Sequence, residues 1–341
     1  MMHPLNGVRI VEMAGIGPGP FCGMMLADHG AEVMYCHRPG AAPDPRDPLL
    51  RGRRPVEIDL KSPEGVARIR ELTAQADGLF EGFRPGVMER LGLGPDVLCA
   101  DNPRLVFGRM TGWGQTGPLA NAAGHDINYI ALSGALHAFG RAGGKPTPPV
   151  NAVGDFGGGG MMMAFAMVSG ILGARASGLG TVIDCAMTEG SALLMNMVWG
   201  FRETLGWVDD RGVNLLDTGA HFYDTFETAD GKHIALGAIE PQFYALFREV
   251  VGIADDPAFD AQMDRTAWPD LKQRLDTLFL TRTRDEWCSL LEGTDACFAP
   301  VLSMSEAPDH PHNAARGSFI ERAGVVQPGP APRFDPPPAT E

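Results

Sequence analysis

In the first half of the chain the apolar positions fall in short continuous runs rather than in alternation. Residues 7–13 (GVRIVEM), 31–36 (AEVMYC), 78–81 (GLFE) and 104–110 (RLVFGRM) read as strands, with a further strand at 56–60. Stretches of helical period lie between them at 21–30, 65–75 and 87–91. Apolar runs joined by helix patterns predict a parallel sheet with crossover helices, covered on both faces. From Gly157 the chain becomes Gly-rich and then Met-rich (GGGGMMMAFAM), followed by a strand at 181–185 and a long helix pattern at 188–201.

The second half has a different pattern. Residues 207–219 are irregular. Strands at 223–228 and 233–237 flank Asp230-Gly231, a favoured hairpin turn pair. Helix patterns follow at 241–251, 268–280 and 283–291, and the Pro-rich tail from Gln327 has no core-forming pattern. The expected organisation is a large α/β domain over 1–200, a linker at 201–219 and a smaller α+β domain over 220–310.

Composition narrows the function classes. Hydrophobic residues make up 44% and charged residues 21%, an ordinary globular balance. A net charge of −14 argues against nucleic acid as a partner. The six cysteines are scattered without CxxC spacing, so neither a disulfide framework nor a metal site is expected, and buried free thiols in a reducing cytoplasm are. No signal-peptide pattern opens the chain, and the apolar stretch 160–174 reads as too short and Gly-rich for a membrane span.

The loop Gly15-Ile16-Gly17-Pro18-Gly19-Pro20 lies between a strand and a helix, where backbone N–H groups suit phosphate. It does not match a dinucleotide fingerprint: Cys22 stands where the third glycine belongs, and Pro18 and Pro20 lack N–H donors. The next strand ends in His37-Arg38 rather than in an acid, which suits a phosphorylated ribose. Arg51, Arg53, Arg54, Lys61, Arg84 and Arg90 lie nearby as candidate anion ligands, each weighed against a solvated surface cation.

The segments VEMAGIGPGPFCGMMLADHGAEV, HRPG, IDLKSPEG, FEGFRPGVMERLGLGP, RMTGWGQTGP, GHDINY, GDFGGGG and GAIEPQFY occur in that order. Together they resemble the α-methylacyl-CoA racemase branch of the family III CoA-transferases, from about residue 4 to about residue 335. The resemblance implies a Rossmann-like large domain, completed by a returning segment 311–341, and an interlocked homodimer acting on acyl-CoA. The CoA is then part of the substrate, and no separate cofactor is implied. Carried over by motif, Ile16, Arg38, Ile58, Asp59, Leu60, Lys61, Gly82, Phe83, Arg84 and Arg90 would meet the CoA nucleotide. Gly124, Asp126 and Tyr129 would meet the thioester region, and His125 and Asp155 would be catalytic.

Racemisation at carbon 2 removes a proton from one face of an enolisable thioester and returns it on the other, so two groups must flank that carbon. A histidine reference pKa of ~6.5 makes both protonation states of His125 accessible. Asp155 needs its pKa raised to serve as an acid, and Glu240 is the carboxylate expected to couple to it. The glycines after Asp155 are expected to open a helix whose N–H groups face the enolate oxygen. Met161, Met162, Met163, Met167, Met187, Met195 and Met197 offer a forgiving apolar surface for an acyl chain, against plain core packing. The alternative function is CoA transfer between carboxylic acids through an aspartyl anhydride at Asp155. Cys297 reads as a buried structural thiol.

Overall fold

The computed structural model describes residues 3–336. The chain forms two compact units. The first comprises the chain up to Ala135, Pro149–Asn196 and the segment beginning at Ala315; the second comprises Leu136–Pro148 and Met197–Ala314.

The first unit is built on six strands: β1 (Arg9–Met13), β2 (Glu32–His37), β3 (Arg54–Glu57), β4 (Gly78–Glu81), β5 (Val106–Thr111) and β6 (Thr181–Ala186). All pair in parallel, in the order β3-β2-β1-β4-β5-β6. The apolar runs supply both faces because successive side chains point to opposite sides. Ile10, Phe80 and Val106 join one core with Met163 and Met167, while Val11, Leu79 and Phe107 join the other with Ile69 and Leu98. Helices α1 (Pro18–Asp28), α2 (Pro63–Thr73), α3 (Val87–Arg90) and α4 (Pro95–Asp101) connect the first five strands. Helix α1 starts three residues before the expected position, with Pro18 in its first turn, where a missing N–H costs nothing.

Between β5 and β6 lie α5 (Asp126–Leu132), the single turn α6 (Ala135–Ala138) and a long helix, which is π-helical over Ala152–Met161 and continues as α7 (Met162–Ser177). The glycine run therefore lies inside a helix that begins five residues earlier than expected. By length and apolarity alone this 26-residue helix is able to cross a membrane, unlike the shorter stretch visible in the sequence. In the fold it packs on α1 and on α8 (Met187–Leu194). The expected single helix at 188–201 is two, α8 and α9 (Asn196–Thr204), broken at Met195.

The second unit carries an antiparallel sheet of β7 (Tyr223–Glu227), β8 (His233–Gly237) and β9 (Phe298–Val301), with β8 in the centre. The sequence pattern missed β9, which is short and interrupted by Pro300. Helices α10 (Pro241–Val251), α11 (Trp268–Phe279) and α12 (Arg284–Leu291) cover the sheet through a core that includes Phe222, Phe226, Phe247, Phe279 and Trp287. Leu136–Pro148 belongs to this unit rather than to the large domain to which the sequence reading assigned it. Arg141 binds the buried Asp224 and the Thr225 hydroxyl, anchoring that segment to β7. The chain continues through α13 (Pro311–Arg316) and the hairpin β10 (Phe319–Arg322)–β11 (Val325–Pro328). Gln327 is buried, not part of a featureless tail: its Oε1 and the Pro328 carbonyl accept from Arg51, tying the returning segment to the first unit.

Candidate active site

The order of the parallel sheet reverses between β1 and β4, and the crevice beyond the carboxyl ends of the strands at such a point is where open α/β sheets take ligands. The loops leaving β1, β2, β3 and β4 enclose a groove of about 440 Å³ there. Its walls include Ile16, Arg38, Ile58, Asp59, Leu60, Lys61 and Phe83, seven of the residues expected at the nucleotide. A shallower hollow of about 710 Å³ adjoins it through Leu60 and Lys61 and reaches Arg90. Gly82 and Arg84 flank Phe83 on the exposed turn after β4. Arg38 and Lys61 line the groove and Arg90 the adjoining hollow, and among the described residues none of the three is in a salt bridge.

Three of the candidate anion ligands have other partners. Arg51 binds Asp28 at 2.5 Å as well as Gln327. Arg53 pairs with Glu12 at 3.0 Å, with side-chain exposures of 1% and 0%. Arg54 reaches Glu32 on the neighbouring strand β2. The spacing of these arginines in sequence carried no information on burial.

Glu81 and Arg109 were not picked out in the sequence. Glu81 ends β4 and accepts the Phe83 N–H at 2.6 Å, which holds the turn carrying Phe83 and Arg84. Arg109 on β5 bridges Glu81 and Glu89. Burial pushes the Glu81 carboxyl up to about 7, partly offset by the Phe83 N–H and by Arg109.

The second cluster lies where α5 meets the start of the π-helical segment. His125 precedes α5, exposed, with its own N–H donated to Asn128 Oδ1. Tyr129, one turn on, donates to the Gly124 carbonyl and stands edge-on to Trp113 at 4.9 Å. Asp126 is buried, and its Oδ1 accepts the backbone N–H of Asp155 at 2.7 Å. Asp155 is half-buried, with Asn151 donating to its Oδ2 at 3.3 Å. Desolvation raises the Asp155 carboxyl above the usual carboxylate range; the Asn151 bond opposes this, Asp126 adds to it, and His125 counteracts it. The loop after β1 closes the other side. Gly17 has φ 67°, and a Cβ there would lie 3.2 Å from Asp155 Oδ2, so a side chain would be strained and would crowd the carboxylate.

His125 and Asp155 are thus neighbours in the fold, 30 positions apart in the chain. Glu240 stands in the second unit, immediately before α10. The expected glycine N–H donors are not free: residues 157–160 lie in mid-helix, and the start of the helix precedes Asp155, whose own N–H is taken by Asp126. The methionines divide. Met163 and Met167 are fully buried over Gly108 and Gly78 of the sheet, and Met187 is buried as well, so these three are core. Met161 and Met197 remain more than half exposed. Cys297 is exposed rather than buried, in a positive-φ turn before β9.

The model of "CoA-transferase family III" matches residues 5–340. The chain belongs to this family. Among curated relatives this family III chain is 47% identical over 336 residues to the alpha-methylacyl-CoA racemase of Mus musculus, covering 98% of this chain and 87% of the relative. It is 46% identical over 329 residues to the same-named protein of Homo sapiens, covering 96% and 86%. Among solved structures, a CaiB/BaiF family protein from Brucella suis superimposes with a TM-score of 0.82 at 25% identity, covering 98% of this chain and 93% of that one.

Proposed function

We propose that this family III chain racemises 2-methylacyl-CoA thioesters by moving one proton off and onto carbon 2. The reading is carried by near-half identity to alpha-methylacyl-CoA racemases over almost the whole chain. It is supported by a histidine and a carboxylate held on adjoining elements. His125 and Asp155 flank the reacting carbon. One takes the proton as the thioester carbonyl delocalises charge, and the other returns a proton to the opposite face. The raised Asp155 carboxyl suits this exchange, because a carboxyl that holds its proton longer is a better donor near neutrality. The groove from Ile16 to Lys61, with Arg38 and Arg90, receives the CoA phosphates and adenosine.

The active form is a homodimer in this proposal. An exposed apolar stripe supports it: Met161, Phe165, Val168 and Leu172 recur at helical spacing along one face of the long helix, beside exposed Val182 on the edge strand β6. Light scattering after size exclusion tests it, and a monomer that retains full activity refutes it.

The central experiment incubates one enantiomer of a 2-methylacyl-CoA in D₂O. Deuterium should appear at carbon 2 as the enantiomer ratio moves to unity, and His125→Ala and Asp155→Asn should abolish conversion. If carbon 2 keeps its hydrogen while CoA moves to a free carboxylic acid, the protein is instead a CoA-transferase using Asp155 as nucleophile.

A further inference from the structure

The two groups assigned to proton transfer come from different elements, and their spacing needs a physical cause. Asp126 is the first residue of α5, directly after His125. Its side chain turns away from solvent, 6% exposed for the whole residue, and its Oδ1 accepts the Asp155 N–H at 2.7 Å. No other hydrogen bond among the described residues joins His125 or Asp126 to residues 151–155. Gly154 makes room for it: a Cβ there would lie 2.4 Å from Asp126 Oδ1. The second oxygen, Oδ2, is buried without a hydrogen-bond partner among the described residues. A buried carboxylate whose second oxygen has no partner among the described residues is costly for stability alone, which points to a role in the chemistry.

We infer that Asp126 is a positioning residue: its carboxylate ties the Asp155 backbone to the helix that carries His125, fixing the gap across which the proton moves. This inference rests on the racemase reading of the same site. The tie acts on geometry, because proton transfer loses rate steeply once donor and acceptor drift from near-contact. It acts on charge as well. From α5 the titratable groups facing Asp155 are His125, Asp126 and Tyr129; from its own helix Asn151 faces it, and from the β1 loop the uncharged Gly17. Helices α1 and α8 present Phe21, Met187 and Ser191 to the same π-helical segment. Among the described residues Asp126 is therefore the like charge that acts on Asp155, and it favours the protonated form of that carboxyl.

The test separates the two effects. Asp126→Asn keeps an oxygen for the Asp155 N–H and removes the charge. kcat should stay within about threefold, while the Asp155-dependent limb of the pH profile moves to lower pH in both directions of racemisation. Asp126→Ala removes the acceptor too: kcat should fall about tenfold or more with KM within about twofold, because the CoA groove is untouched. Wild-type kcat in Asp126→Ala, or an equal loss in both variants, overturns the inference. If Asp126→Ala does not fold, the Asp126→Asn profile decides, and an unmoved limb overturns it. A wild-type enzyme that incorporates no deuterium at carbon 2 removes the racemase reading and this inference with it. Exchange in wild type with a failed variant pattern removes only this inference.

Discussion

Replacing Gly190 by alanine opposes two effects whose sizes are known. Position 190 lies within α8, where alanine is favoured over glycine by about 0.8–1 kcal/mol. On its other side, a Cβ at 190 would lie 2.0 Å from the Gly158 carbonyl oxygen and 2.7 Å from the Gly158 Cα. The obstacle is backbone, so no side-chain rotation relieves it; α8 and the π-helical segment must separate by more than 1 Å for ordinary contact. Inserting one methyl into such a seam costs about 1–3 kcal/mol, and a backbone obstacle puts the cost at the upper end. Packing wins, and the net loss is about 2 kcal/mol. Because the displaced segment carries Asp155, turnover should fall together with stability. The assay is urea unfolding by circular dichroism, with initial rates on the folded fraction. Gly173→Ala serves as the sign control. It sits in α7 with no atom within 4 Å of its added Cβ, about 100° around the helix from Leu172, and should gain up to about 1 kcal/mol. A Gly190→Ala protein as stable as wild type would show that the glycine seam is not tightly packed and would refute the reasoning.

Three further outcomes follow from the geometry. His221 is buried against Tyr244 at 2.7 Å, and burial, with Lys272 adding to it, lowers its pKa from 6.5 to about 4; the unfolded chain therefore takes up the proton first, and stability present above pH 6.5 is lost as pH falls toward 4, by about 3 kcal/mol in all. Urea midpoints of wild type and His221→Asn across that window check it, and equal slopes count against it. Arg38→Ala and Lys61→Ala should each raise KM for acyl-CoA several-fold with little change in kcat, more strongly at low than at high salt; an unchanged KM in both removes the groove as the CoA site. Arg53→Ala leaves Glu12 buried and unpaired and should cost about 3–5 kcal/mol of stability, without any specific loss of CoA affinity in protein that still folds; a variant of normal stability with weakened CoA binding would restore Arg53 as an anion ligand.

The sequence by itself determined the parallel sheet, because short apolar-rich runs such as GVRIVEM alternate with helix patterns, as strands buried on both sides do, and Ile10 and Val11 lie on opposite faces. It determined the hairpin at Asp230-Gly231 for a similarly local reason, and its ordered motifs determined the family. Local pattern did not disclose the path of the glycine run, since a helix continuing through four glycines is held by what packs on it: Pro18, Phe21, Met187 and Ser191. Nor did it sort the arginines. Arg38 and Arg53 look alike in sequence, and only the fold puts Glu12 against one and leaves the other exposed beside a groove. The same holds for Asp126, which the motif marked as a substrate contact and the tertiary structure turns inward onto the Asp155 N–H. Periodicity encodes which face of an element is buried. Which partner meets a buried charge depends on residues tens to hundreds of positions away, and only the assembled chain decides it.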